Sequence, residues 1–376
     1  MIKKEAFALP DSFNLRCLDC SRAVAATVRT LFCKTCGGLF EVEYNDSPRR
    51  DGPRLPLRTP SNRLSLGEGE TPLVELRRLG RQLGLGRLWA KLEFESPTGS
   101  FKDRGSAVLV SAAVEDGVTE FVEDSSGNAG ASLAAYAAAA GITAHIFAPS
   151  AAARGKLDQI AIFGATLHAI DGPRQAATDA AREFVDREGL VYLSHNYSPF
   201  FAEGMKPFSH EVASSPAAGI QHMVLPVGNG SLLIGARKGF DELVASGALA
   251  RQPALHCVQA EAVRPIVAAL RGETWPADLA KPTAASGISV SKPPRIAEAL
   301  SAVRDTGGQG TAVTDEAILA WQRRLARAEG IFCEATSAAA FAGLEQLLEG
   351  GAIQPGADVL IPITGTGLKE PLTPQL

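Results

Sequence analysis

The chain has 376 residues, 45% hydrophobic and 21% charged, which is enough to bury large cores in two or three domains. Its net charge of -4 gives no electrostatic reason to expect nucleic acid or an anionic membrane as a partner, and no apolar run reaches transmembrane length. Met1 to Pro10 carries Lys3 and Lys4 but no apolar stretch of signal-peptide type, so the expected location is cytoplasmic.

Four of the six cysteines form two knuckles, Cys17-Leu-Asp-Cys20 and Cys33-Lys-Thr-Cys36, with twelve residues between them. A segment this short has little core, and four thiolates around one zinc would supply the missing folding energy. With four cysteine ligands no coordination position stays open, so the expected metal is structural; the alternative is free thiols. Residues 1–46 are therefore read as a zinc ribbon and 47–64, which includes the basic, proline-rich Ser47 to Pro60, as a linker.

From Ser65 onward short β-rich runs alternate with alanine-rich helical stretches, the pattern of parallel α/β layers. Strands are predicted at Leu88 to Leu92, Glu120 to Glu123, Ala144 to Ala148, Thr166 to Ile170, His222 to Pro226, Leu255 to Gln259 and Asp358 to Ile363. Ala131 to Ala140 reads as a tightly packed helix.

Four turns carry the chemistry. Ser96-Pro-Thr-Gly-Ser-Phe-Lys102-Asp-Arg-Gly105 puts one lysine in a tight turn leading into a helix, with Ser100 as candidate N-cap. A helix N-terminus and nearby Arg104 both favour the neutral amine, the form that condenses with an aldehyde, so Lys102 reads as a Schiff-base lysine. A lone lysine in a first helical turn is also, equally simply, a solvated lysine. Asp124-Ser125-Ser126-Gly127-Asn128-Ala129-Gly130 is a polar strand-to-helix turn whose backbone N–H groups suit a carboxylate. Gly228-Asn229-Gly230-Ser231 again sits between an apolar strand and a helix and suits a phosphate; it lacks both the third glycine of a dinucleotide fingerprint and the Gly-Lys-Ser/Thr of a P-loop. Thr364-Gly-Thr-Gly-Leu-Lys369 closes the last predicted strand.

These four motifs, in this order, resemble those of threonine synthase and its relatives among the tryptophan-synthase-like, fold type II pyridoxal-phosphate enzymes. The resemblance spans about Ser65 to Lys369 and includes Gly67-Glu-Gly-Glu-Thr-Pro-Leu73, which is similar to the family's entry loop. It implies two α/β domains with the cofactor in the cleft between them, 65–104 with 210–376 forming the large one and 105–209 the small one. By the same resemblance Lys102 is the catalytic, cofactor-bearing lysine and the proton shuttle at the substrate α-carbon. Asn128 meets the cofactor's phenolic oxygen, Ser125, Ser126 and Ala129 surround the amino acid carboxylate, Gly228 to Ser231 cup the cofactor phosphate, and Thr364 meets the pyridine nitrogen. A neutral hydroxyl there makes the ring a weaker electron sink, which favours elimination and replacement over transamination. The ribbon resembles four-cysteine modules that precede the catalytic part in some of these enzymes, and a homodimer is expected.

The reaction the resemblance implies is conversion of O-phosphohomoserine to threonine and phosphate. Two positions depart from it: Ala129 stands where threonine is usual and Phe201 where an arginine helps hold the substrate phosphate. Arg154, Lys156 and Lys206 are the candidates to replace that charge. The alternatives are β-replacement or deamination of a phosphoserine, serine, threonine or diaminopropionate type of substrate, or a catalytically silent homologue. The six histidines, His195 among them, show no ligand spacing and read as packing or surface residues, and Cys257 and Cys333 as inert core thiols.

Overall fold

The computed structural model describes residues 12–152, 154–172 and 174–370, so the stretch Met1 to Pro10 lies outside the described residues. In chain order the strands are β1 (Phe13–Cys17), β2 (Ala23–Ala25), β3 (Phe40–Tyr44), β4 (Leu73–Glu75), β5 (Arg87–Lys91), β6 (Glu120–Glu123), β7 (Thr143–Pro149), β8 (Thr166–Ile170), β9 (Val191–Tyr192), β10 (His222–Pro226), β11 (Ala254–Ala260), β12 (Gly310–Val313) and β13 (Asp358–Pro362). The helices are α1 (Arg77–Gln82), α2 (Lys102–Glu115), α3 (Asn128–Ala140), α4 (Arg154–Ile162), α5 (Arg174–Glu188), α6 (Pro199–Glu203), α7 (Pro207–Ala213), α8 (Ser231–Ala245), α9 (Pro265–Leu270), α10 (Ile296–Arg304), α11 (Asp315–Glu329) and α12 (Ala335–Glu349).

Three sheets result. The first is a small antiparallel sheet in the order β2-β1-β3. The second is a six-stranded sheet, β12-β11-β10-β13-β5-β4, parallel except for edge strand β4. The third is a four-stranded parallel sheet, β8-β7-β6-β9. Parallel strands covered on both faces read as continuous apolar runs, as β10 and β13 do, and every predicted strand is present within a residue or two of its expected ends. The short strands β4, β9 and β12 were not predicted; two to four paired residues leave too little pattern.

The alanine run is the core helix α3, buried from Ala129 to Ala137. Small side chains let it lie closely beside α2, itself buried from Asp103 to Ala113. The segment after β3 is irregular but not loose: Arg54 pairs with Glu242 at 3.0 Å and Arg58 with Asp116 at 2.7 Å. The ribbon sheet docks on the chain from Tyr197 to Lys206, with Phe13 edge-on to Phe200 and the Tyr44 hydroxyl donating to Glu203 at 2.8 Å.

Candidate active site

Turns leaving the C-terminal ends of parallel strands collect in one place, the crevice where open α/β sheets bind ligands. After β6 comes Ser125 to Ala129, after β10 comes Gly228 to Ser231, and after β13 comes Thr364; with Lys102 they line a single cleft of about 400 Å³. Every cofactor- and carboxylate-binding residue expected from the sequence borders this cleft.

Lys102 opens α2, and its turn is stitched to the β13 loop. Ser100 bridges Gly365, the Phe101 N–H donates to the Thr364 carbonyl at 3.1 Å and the Thr366 N–H to that of Gly99 at 3.1 Å. Ser100 is therefore engaged in an isolated backbone bridge, and the helix is capped at Phe101 without a side-chain bond; the N-cap expected at Ser100 is not there. Asp103 fixes the turn instead, accepting from the Thr98 N–H at 2.7 Å and from the Thr98 and Ser132 hydroxyls at 2.6 Å each. Burial lowers the Lys102 amine from 10.5 to about 8, against the opposing pull of Glu123 and Glu334. Arg104, expected to help, takes no part. It turns away into two bidentate ion pairs, with Glu93 (2.6 and 2.8 Å) and Glu211 (2.6 and 2.7 Å).

The Gly228–Ser231 turn fits a phosphate on structural grounds. A Cβ on Gly228 would come to 3.0 Å from the Gly287 carbonyl oxygen, tighter than side chains ordinarily pack, and Gly230 has a φ of +88°. The turn ends at the N-terminus of the fifteen-residue helix α8, and among the described residues the N–H groups of Gly228, Asn229 and Gly230 meet no acceptor. The Thr364 hydroxyl lies 2.9 Å from that of Ser337. Asn128 is held at both ends of its amide: Nδ2 donates to Glu334 at 2.9 Å and Oδ1 accepts from Lys369 at 3.2 Å. These groups match an aldehyde-bearing, phosphorylated heteroaromatic ring in order and chemistry.

The structure sorts the three cations expected near the substrate. Lys156 is buried, lines the cleft and pairs with Glu334 at 3.2 Å. Arg154 is exposed beside Asp158, and Lys206 is buried outside the cleft against Glu203 (2.6 Å) and Glu242 (2.9 Å), so neither reaches the site. Phe201 sits fully buried near the lysine, its ring centroid 5.8 Å from Lys102 Nζ.

Sequence reasoning missed Glu334 and misplaced His195. Glu334, 1% exposed, is the residue just before α12, between the apolar Cys333 and Ala335; an acidic residue interrupting so apolar a run was the available signal. His195 is a cleft residue and not mere packing. Cys257 and Cys333 are buried thiols pushed up by desolvation, as expected.

Away from the cleft, Cys17, Cys20, Cys33 and Cys36 present four sulfurs within 4.8 Å of one another, with Cys17–Cys36 at 3.5 Å and Cys20–Cys33 at 3.7 Å. Zinc–sulfur bonds of about 2.3 Å in a tetrahedron hold sulfurs about 3.8 Å apart, so the spacing fits a tetrahedral ion. Backbone N–H groups of Thr35 and Cys36 pull the Cys33 thiol down to about 6. At Cys36 the Gly38 N–H acts the same way but the neighbouring sulfurs outweigh it, raising that thiol to about 12.

Residues 64–365 match the family model described as pyridoxal-phosphate dependent enzyme. The chain belongs to the fold type II pyridoxal-phosphate-dependent enzymes. It is 35% identical to the threonine synthase of Methanocaldococcus jannaschii over 95% of this chain and 93% of that one, and 35% identical to that of Methanosarcina acetivorans over 96% and 93%. The Mycobacterium leprae threonine synthase is 37% identical over 85% and 87%. Among solved structures, Solanum lycopersicum threonine deaminase isoform 2 superposes with a TM-score of 0.67 at 20% identity, covering 79% of each chain. The O-acetylserine dependent cystathionine beta-synthase of Helicobacter pylori gives 0.68 at 21%, covering 80% of this chain and 94% of that one. The protein is thus a threonine synthase-like, pyridoxal-phosphate-dependent enzyme.

Proposed function

We propose that the protein carries out elimination and replacement at the side chain of a small amino acid, with O-phosphohomoserine to threonine and phosphate as the first substrate reading. The observation that carries it is the meeting, in one cleft, of an amine lowered to about 8, an open glycine turn at a helix start and the neutral Thr364 hydroxyl. Pyridoxal phosphate, when bound, supplies a sink for the electrons of the substrate's α-carbon. Lys102 would hold it covalently and then take and return the α-proton; Gly228, Asn229, Gly230 and Ser231 would hold its phosphate, Asn128 its phenolic oxygen and Thr364 its ring nitrogen. Ser125, Ser126, Asn128 and Ala129 would receive the substrate carboxylate. Lys156, in the cleft and buried, is the cation best placed for a substrate phosphate.

A second reading, deamination or β-replacement on a serine-, threonine- or diaminopropionate-type substrate, is favoured by one feature. Among the described residues every cation lining the cleft except Lys102 already faces a carboxylate: Lys156 faces Glu334, and Arg174 lies 3.9 Å from Asp124. With Phe201 in the arginine's place, a phosphate dianion would be desolvated with no free partner, which is costly. The proposal includes one structural zinc on the four cysteines, the division into 65–104 with 210–376 and 105–209, and a homodimer.

A panel of O-phosphohomoserine, O-phosphoserine, serine, threonine and diaminopropionate decides between the readings, scored by the shift of the cofactor spectrum and by release of phosphate, oxo-acid or ammonia. Threonine with phosphate from O-phosphohomoserine supports the first, and oxo-acid with ammonia from the smaller amino acids the second. A spectrum that moves with none of them overturns both.

A further inference from the structure

His195 lies on the crossover from β9 to α6 and borders the cleft beside the lysine: its ring meets Phe201 edge-on at 5.7 Å, and Lys102 Nζ is 5.8 Å from the same ring. Behind it stands Glu123, fully buried at the end of β6. Glu123 Oε2 accepts the His195 backbone N–H at 3.1 Å, and Oε1 lies 2.5 Å from Nδ1. So short a contact needs a proton between the two atoms. Burial pushes the Glu123 carboxyl well up, with Asp124 adding to it; burial, with Lys102 and Arg174, pushes the imidazole well down. Both directions favour the uncharged pair, in which one proton lies in the short contact and the ring's own hydrogen sits on Nε2. The Asn196 side chain is the ring's other hydrogen-bonding neighbour. Asp124 is not available to the ring, being held by Tyr192 at 2.7 Å, by Thr178 and by Arg174.

Elimination of an oxygen substituent makes two proton demands, a base at the α-carbon and an acid at the departing oxygen, and hydroxide leaves only if it is protonated. We propose that His195, held by Glu123, gives its Nε2 proton to the oxygen leaving the β-carbon, which makes the substrate class of this cleft a serine- or threonine-type β-hydroxy amino acid. The inference rests on the reading above that the substrate is a small amino acid. In the step, the pair from the α-C–H bond forms the Cα–Cβ double bond, and the Cβ–O bond breaks with its electrons going to oxygen. The Nε2 proton joins that oxygen as water, and the proton between Glu123 and Nδ1 settles on Nδ1, leaving the Glu123 carboxylate. One proton is gained at Lys102 and one lost from the pair, so the enzyme's proton count is unchanged. His195 contacts the substrate; Glu123 is a positioning residue.

The test compares serine with 3-chloroalanine, whose chloride leaves without a proton, in the holoenzyme and its His195→Phe variant. Turnover of serine is expected to fall about 10²- to 10⁴-fold, the usual contribution of a general acid. Turnover of 3-chloroalanine and the spectral shift with alanine should stay within about fivefold, since neither needs that proton. In cofactor-free, unmodified protein, ¹⁵N NMR should find hydrogen on His195 Nε2 at neutral pH, a readout that does not depend on the variant folding. Equal losses on serine and 3-chloroalanine, or a bare Nε2, overturn the assignment. A wild type that converts O-phosphohomoserine but no hydroxy amino acid overturns it while leaving the broader reading in place. A wild type whose spectrum moves with no amino acid overturns both.

Discussion

Replacing Arg104 by methionine separates two things the lysine turn depends on, how it is supported and what sets the amine's basicity. Arg104, 1% exposed, makes four close bonds to two carboxylates, and methionine keeps much of its apolar stem while removing all of them. Glu211 retains Lys91 at 2.7 Å, but Glu93, wholly buried, is left with the Thr71 hydroxyl at 2.7 Å and Lys91 at 4.0 Å. Breaking a buried pair and stranding one partner costs about 3–5 kcal/mol. In a chain of this size that lowers the urea midpoint of the cofactor-free protein by on the order of 1 M. Adding Glu93→Leu removes the stranded charge and should recover at least half of the loss, because a buried network can be replaced by apolar groups of similar volume. Burial, and not Arg104, depresses Lys102, so the lysine should still titrate near 8 in the variant. A loss below about 1 kcal/mol, or a Lys102 that titrates near its ordinary 10.5, would refute the reasoning.

Lys102→Ala should abolish the lysine-bound cofactor absorption and turnover while circular dichroism stays unchanged; a borohydride-reducible adduct surviving in that variant would sink the assignment. In the unmodified protein a lowered lysine pKa means the reactive neutral amine is scarce below pH 8 and dominant above it. Cofactor capture by the stripped enzyme should therefore rise through about pH 8, and a rise centred near 10.5 would show the amine to be solvated. Purified protein should hold about one zinc per chain and chelation should loosen the ribbon first, whereas less than about a tenth of an equivalent in protein never exposed to chelator would count against a zinc site.

What was legible in the sequence is what local rules encode. Glycine turns between an apolar strand and a helix can be read from neighbours in the chain, so the segments at Lys102, Asn128, Gly228 and Thr364 were found, and the structure gathers them in one cleft. Side chains whose meaning comes from distant partners were not readable in that way. Arg104 stands beside the lysine in sequence yet faces Glu93 and Glu211, while His195 acquires its place from Glu123, seventy-two residues earlier. Glu334 bonds Asn128 across 206 positions, a relation no window along the chain reveals.

The place of β13 in the large sheet has a consequence for how the enzyme is made. The last strand among the described residues is not an edge: it lies between β10 and β5 and is paired in parallel with both. Until it emerges from the ribosome, the nascent chain holds two half-sheets with an open seam, and the lysine turn lacks the Gly365 and Thr364 backbone to which it is stitched. Closing that seam brings together residues some 270 positions apart, the kind of contact whose loop entropy must be overcome before it is rewarded. Incorporation of the cofactor thus waits on β13, and a product truncated before Asp358 would expose unpaired strands, a liability for aggregation rather than a partly active enzyme.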